Sequence, residues 1–276
     1  MSRGASGSAP IVAVRSGRRR QRPDRLATEE PLEIRVAGPG QEPVSAGVTM
    51  RTPGNDFELA AGFLFAEGLI TADEVRTIRY CGTAENGGRQ DNVVTVDLRR
   101  PIAPEAFTRR FAVTAACGVC GKATLDDLEL RCAPVGRGPV LAVSRLPALA
   151  EDLRARQTVF DRTGGLHAAG LFDTNAELLA AREDIGRHNA VDKIIGHALL
   201  EGTLPLADRL LMVSGRLGFE IAQKAAAAAI PVVAAVSAPS TLAVETAERF
   251  GITLVGFLRG DSFNVYCHAE RLDFEA

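Results

Sequence analysis

The last third of the chain narrows the fold more than any other stretch. Leu210–Val213, 231–236 and 252–258 are short, almost wholly apolar runs, and helical patterns separate them at 219–229 and 242–250, the second stopped by Gly251. Strands that alternate with helices in this way predict a parallel sheet covered by helices. In such sheets ligands bind outside the carboxyl ends of the strands. Three segments fall at those ends: Ser214-Gly215-Arg216, residues 237–241 with Ser237 and Thr241, and Arg259-Gly260-Asp261-Ser262. Each offers hydroxyls or free backbone N–H groups near a helix start or a turn, and two carry an arginine, which suits phosphate. A phosphorylated ligand is therefore expected at this edge.

Upstream, the polar run from Glu183 to Lys193 opens a helix whose apolar stripe is Val191, Ile194, Ile195, Ala198 and Leu199, ended by Gly202. His188 and Asp192, four apart, share the other face, and the crowd of charge at the helix start exceeds what solubility requires. Residues 146–160 read as helical, and a strand begins near Leu171. Residues 26–113 read as a small α+β unit. Leu32, Ile34 and Val36 alternate as a strand, residues 44–50 pair with it, and Val94, Val96 and Leu98 form another. Asn55 with Glu58 reads as a capping box for a helix that Gly68 stops. The expected organisation is a small α+β domain over 26–113, then a cysteine loop and an α/β domain over 114–276.

At the junction lies Cys117-Gly-Val-Cys120-Gly-Lys122. Two intervening residues bring both sulfurs onto one turn, close enough to share a metal, a disulfide or a transferred sulfur atom. The glycines open backbone conformations closed to other residues, and Lys122 favours the nucleophilic thiolate. Structural zinc needs two further ligands, and Cys81, Cys132 and Cys267 stand singly, so no metal site is expected. Thiol–disulfide exchange suits a C-x-x-C pair, although the motif here is mid-chain. A mobile, wet loop that handles sulfur fits better than a buried inert pair.

The 276 residues, 46% of them hydrophobic, can bury one large or two modest cores. No run approaches the length of a membrane span, no secretory signal is evident, and five cysteines do not make a disulfide framework. Cytoplasm is the expected compartment. Residues 1–25 hold seven arginines and one acid, a charge of +6 against −8 for the remainder. The tail's Gly, Ser and Pro content predicts a disordered, solvated extension rather than a nucleic-acid arm, and a twin-arginine signal lacks its apolar segment.

Taken together, Arg51-Thr-Pro-Gly54, Cys117 to Lys122, Thr163-Gly-Gly-Leu-His-Ala168, Glu183 to Lys193, Ser214-Gly-Arg216 and Phe257-Leu-Arg259 resemble the formate dehydrogenase accessory sulfurtransferases of the FdhD family, over roughly Glu30 to Leu272. The resemblance implies a sulfurtransferase that accepts sulfur from a cysteine desulfurase as a persulfide. It would pass that sulfur to the molybdenum bis-guanine-dinucleotide cofactor before the cofactor enters formate dehydrogenase. Cys117 would carry the persulfide, with Cys120 assisting. Phe257, Leu258, Arg259, Gly260, Asp261 and Ser262 would bind the cofactor, for which GDP is a partial mimic. Ser214, Gly215 and Arg216 join them on the strand-end argument, and His188 from the polar helix start. The resemblance also implies a homodimer and a cytidine deaminase-like three-layer α/β/α fold for the larger domain. Neither nucleic acid nor membrane is an expected partner.

Zinc deamination does not follow from that fold. It needs a His-x-Glu helix followed by Pro-Cys-x-x-Cys; His167-Ala168-Ala169 lacks the glutamate, and His268-Ala269-Glu270 has no cysteines after it. Two other functions remain: a cofactor chaperone in which the cysteines do not matter, and a thiol–disulfide oxidoreductase, which would need no nucleotide site.

Overall fold

The computed structural model describes residues 4–81, 91–103 and 132–275. Two sheets dominate it, beside a short parallel pair of β7 (Leu141–Ala142) with β14 (Leu272–Asp273). A four-stranded sheet is built from β3 (Glu30–Ala37), β4 (Val44–Arg51), β5 (Val75–Tyr80) and β6 (Val93–Leu98) in the order β4-β3-β6-β5. Only the β3–β6 pair is parallel. Leu32, Ile34, Val36, Val94, Val96 and Leu98 alternate inward as their period predicts, against Leu59 and Leu64 of helix α1 (Asp56–Ala66).

The second sheet has six strands. They are β8 (His167–Phe172), β9 (Leu178–Asp184), β10 (Leu210–Val213), β11 (Val232–Ala235), β12 (Thr253–Arg259) and β13 (Ser262–Cys267), in the order β13-β12-β11-β10-β8-β9. The parallel expectation holds for β10, β11 and β12 alone; β8, β9 and β13 run antiparallel to their neighbours. Each of these outer strands belongs to a hairpin, which helix-crossover counting does not detect, and β8 begins at His167 rather than Leu171. Successive side chains leave a strand on opposite faces. Leu211, Val213, Val233, Ala235 and Leu254 meet α4 (Arg187–Leu200), α5 (Phe219–Ala227) and α6 (Thr241–Phe250). Leu210, Met212, Val232, Ala234 and Val255 meet α2 (Leu146–Arg156). The chain is thus mixed α/β. Short apolar strands buried on both faces account for its regular last third.

Two local expectations change. The helix over 146–160 breaks at Gln157, whose ψ of 62° ends α2 before α3 (Thr158–Thr163). Asn55 sits in the left-handed region (φ 57°) and its side chain caps nothing, so the capping box does not form. Glu58 instead pairs with Arg182 of β9 and stands 3.3 Å from His197 of α4. Gly68, with φ 66°, does end α1.

Residues expected as a disordered arginine-rich tail form an antiparallel hairpin, β1 (Ser6–Arg15) with β2 (Arg18–Ala27). Ser16 and Gly17 both have positive φ, 48° and 76°. A two-residue turn of that hand matches the natural twist of a hairpin, and Ile11, Val12 and Val14 supply strand propensity.

The two sheets are joined through helices. At the crossing of α1 and α4, a side chain on Gly62 would collide with the Asp192 carbonyl oxygen, and one on Gly196 with that of Glu58. Only glycine lets the two backbones come this close.

Candidate functional site: a cationic strand-end edge

β9, β10 and β11 all end on one edge of the large sheet, and the chain leaves each of them into α4, α5 and α6 respectively. Three helix N-termini, with their unpaired N–H groups and positive dipole ends, therefore face the same side. The local sequence explains the starts. Gly186 and Gly218 stand at the N-caps of α4 and α5, and Ser240 caps α6 by accepting from the Ala243 N–H at 3.2 Å.

Side chains add charge to that edge. The register Val213↔Ala169 puts the turn after β10 beside His167 at the start of β8. A Cβ on Gly215 would stand 3.1 Å from His167 Nδ1, so a side chain there would crowd the imidazole. Ser214 Oγ accepts the Ala168 N–H at 2.8 Å and ties β8 to β10. Arg187 and His188 open α4. Burial holds the His167 imidazole below its ordinary range, and the charges of Arg187, His188 and Arg216 push the same way. Arg187 Nε is buried with no hydrogen-bond partner among the described residues, while Arg216 is exposed. The acid that meets this group is Glu220, whose Oε2 lies 3.5 Å from His188 Nε2. The neighbouring His188 imidazole pulls its carboxyl down to about 2. The edge has surplus positive charge, and an anion would relieve it.

The β12–β13 hairpin reaches past the last β11 pairing, Ala234↔Val255, on this same edge. Phe257 lies in an irregular stretch with φ 55°, its N–H bonded to Ser237 O at 3.2 Å and its ring 41% exposed. A phenylalanine held in left-handed backbone and turned to solvent is a strained arrangement that suits stacking on a planar ligand. Arg259 pairs with Ser262 across the Gly260-Asp261 turn, and all four are exposed. Leu258 is fully buried in the core, so only its backbone is available. The structure thus brings Ser214, Gly215, Arg216, His188 and the 257–262 hairpin to one edge. Sequence reasoning missed His167 and Arg187 there. Arg187 was inside the quoted motif, and His167 emerges only from the antiparallel β8–β10 register.

Much of the Glu183–Lys193 motif has another task. Lys193 Nζ lies 2.7 Å from Asp184 Oδ2 and donates to Thr52 O and Glu183 O, at 3.1 and 3.2 Å. Asp184 also accepts the Thr52 N–H, at 3.1 Å, and the Asn189 amide, at 2.9 Å. Asn189 in turn donates to Met50 O at 2.8 Å. These buried groups clamp the Arg51-Thr-Pro-Gly54 turn onto α4. Arg51, fully buried, forks onto Asp56 at 3.0 and 3.1 Å and anchors the start of α1. Asp192, on the helix face opposite the apolar stripe, is buried 2.7 Å from Lys224 of α5.

Cys117 and Cys120 lie outside the described residues. Among the described residues Cys81 and Cys267 form no disulfide, and burial pushes the Cys267 thiol up to about 11, which suits packing rather than chemistry. Among the described residues no helix is long and apolar enough to cross a membrane.

Known proteins resemble this chain. A chain from Mycolicibacterium paratuberculosis named sulfur carrier protein FdhD is 51% identical over 95% of this chain and 97% of its own length. Its namesake from Streptomyces coelicolor is 49% identical over 96% and 95%. A solved structure from Desulfotalea psychrophila, described as a formate dehydrogenase accessory protein, superposes with a TM-score of 0.76 at 27% identity, covering 98% of this chain and all of that one. The FdhD/NarQ family model matches residues 27–273, nearly the whole chain except the arginine hairpin. This chain belongs to the FdhD/NarQ family.

Proposed function

We propose that the protein is a sulfur carrier that takes sulfur from a cysteine desulfurase as a persulfide on Cys117. It delivers that sulfur to the molybdenum bis-guanine-dinucleotide cofactor on the way to formate dehydrogenase. The observation that carries the cofactor half of this reading is the strand-end edge, where three helix N-termini meet Arg187, His188, Arg216 and Arg259. Diphosphate groups of a guanine dinucleotide match it in charge and in hydrogen-bond polarity, and Phe257 offers a face for the base. The sulfur half rests on the Cys117-x-x-Cys120 sequence and on the printed name of the relatives.

The chemistry balances without an external oxidant during loading. The Cys117 thiolate attacks the terminal sulfur of the donor persulfide; one S–S bond forms, one breaks, and the donor leaves as a thiolate. For release, the Cys120 thiolate attacks Sγ of Cys117 and expels hydrosulfide, leaving a Cys117–Cys120 disulfide that a thiol must then reduce. Cytoplasmic residence and a homodimer belong to the same reading. Mass spectrometry after incubation with desulfurase and cysteine tests it: a gain of one sulfur atom on Cys117 is expected, and a protein that never gains sulfur overturns it. A cofactor chaperone would instead mature its client with Cys117 removed.

A further inference from the structure

A second polar cavity, of about 240 Å³, opens beside the edge strand β9, and its lining shares no residue with the strand-end group. Its walls come from the Arg51–Gly54 turn, the α2–α3 corner and the N-terminal segment at Ala5. Ala5 accepts the Thr28 N–H at 3.0 Å, so part of this wall lies outside the family's matched span, 27–273.

Gln157 is the informative residue. It is 4% exposed and lines the cavity, yet its carboxamide makes no hydrogen bond among the described residues. Its backbone groups are both used, toward Arg154 O and from Asp161 N, and the side chain finds no partner among the described residues. Buried polar groups are nearly always paired, and one left open toward a cavity needs a reason. Next to it Arg156 is exposed and, unlike Arg154, forms no ion pair among the described residues. Lys193, Arg182 and Glu183 also line the cavity, but each is engaged within the fold. Leu153 and Leu166 give it an apolar wall. Arg156 thus offers a cation and Gln157 a carboxamide that both donates and accepts, beside apolar surface, with the exposed Asn55 and Thr158 side chains at the same cavity.

We infer that this cavity binds a small organic anion, with a carboxylate or phosphate at Arg156 and an amide-like donor–acceptor group at Gln157. Neither group belongs to the sulfur or cofactor chemistry, so the site is a separate ligand site on the same chain. Calorimetry on the full chain tests it with three probes: N-acetylglycine, which carries carboxylate and amide; acetate, which lacks the amide; and inorganic phosphate. N-acetylglycine should bind saturably, and acetate about tenfold more weakly. Gln157→Leu should remove that preference while raising the thermal unfolding midpoint, because an unpaired buried amide is replaced by an apolar group of similar size. Arg156→Gln should weaken N-acetylglycine and phosphate alike without changing stability. GDP affinity should stay unchanged in both variants, which separates failure here from failure of the strand-end reading. The inference is overturned if N-acetylglycine does not bind, if phosphate binds with no preference for the amide-bearing probe, or if Arg156→Gln leaves binding intact. It is also overturned if Gln157→Leu lowers the unfolding midpoint, which would mean that the fold itself needs the carboxamide.

Discussion

Gly62 of α1 and Gly196 of α4 face each other where the helices cross, each against the other helix's backbone. One helix belongs to the small sheet and the other to the large one, so the pair fixes the angle at which the two units are joined. A methyl group at either position must push the helices apart, because the obstacle is a carbonyl oxygen and not a flexible side chain. Overpacking of this kind costs ~1–3 kcal/mol or more. Gly196→Ala should therefore lower the thermal unfolding midpoint clearly, and Gly62→Ala likewise. If either variant unfolds like the parent, the helices do not meet as described.

The clamp between Lys193 and Asp184 makes a second prediction. Both side chains are at least 98% buried. Removing one partner leaves the other charge without its counterion, at a cost of ~3–5 kcal/mol. Lys193→Met should show this loss in urea denaturation, and adding Asp184→Asn should recover part of it. Recovery is expected to be partial, because Asp184 also holds the Thr52 N–H.

These two examples show what was legible in the sequence and what was not. The strands β10, β11 and β12 and the helices between them were readable because apolar runs of four to seven residues are punctuated by Gly and Ser. The strand-end edge followed from connectivity alone. The roles within 183–193 were not readable. One polar run is divided among Asp184, Asn189 and Lys193, which face the Arg51–Gly54 turn, His188, which faces Glu220, and Asp192, which faces Lys224. Helical periodicity tells which residues share a face, not what lies opposite. The arginine hairpin was missed because the Gly, Ser and Pro content of residues 1–25 was read as disorder, whereas Ser16 and Gly17 form a turn with positive φ. Asn55 was misread because residue type and spacing give no backbone angle, and the left-handed backbone it holds makes no side-chain cap.

His167 gives the pH prediction. Its folded-state pKa lies below the ordinary 6.5 because of burial and the cations around it. A depressed value means that its contribution to stability is present above 6.5 and is lost as pH falls through the folded value. An anionic phosphate nearby would favour the imidazolium and raise that value in the complex. Between the two values the complex holds a proton that the free protein lacks, so GDP should bind more tightly as pH falls through this window. Titration at pH 6 in buffers of different ionisation heat should show proton uptake on binding, and His167→Gln should abolish it. No uptake would place the phosphates away from His167.

Arg259 and Leu258 are neighbours with opposite expectations. Arg259 is exposed at the hairpin tip, and removing a charge-assisted hydrogen bond costs ~1.5–3 kcal/mol. Arg259→Ala should therefore weaken GDP by roughly tenfold or more, with the fold intact. Leu258 is fully buried, and Leu→Ala in a core costs ~2–5 kcal/mol. Leu258→Ala should lower stability, and while folded it should bind GDP as the parent does. Calorimetry alongside thermal unfolding separates the two. Unchanged GDP affinity in Arg259→Ala would move the cofactor elsewhere.

The two cysteines of the 117–120 motif should separate by step. If Cys117 carries the persulfide, Cys117→Ala should abolish both the gain of one sulfur atom on incubation with desulfurase and cysteine and the maturation of formate dehydrogenase. GDP binding should survive, because the strand-end groups that would hold it lie on β8, β10, β12 and the starts of α4–α6. Cys120→Ala should load sulfur normally and pass it on slowly, since a resolving thiol acts only after loading. Cys267 offers a control within the same chain. Its thiol is buried and donates to Ile252 O at 3.3 Å, and burial raises its pKa to about 11, so almost none of it is thiolate near neutral pH. Cys267→Ser should therefore gain sulfur as the parent does. A Cys117→Ala protein that still matures its client would leave cofactor binding as the whole function. A stable Cys117–Cys120 disulfide that exchanges with dithiols and never takes up sulfur would make the protein an oxidoreductase. Loading with slow release in Cys120→Ala, and no loading at all in Cys117→Ala, is the pattern that only a persulfide carrier produces.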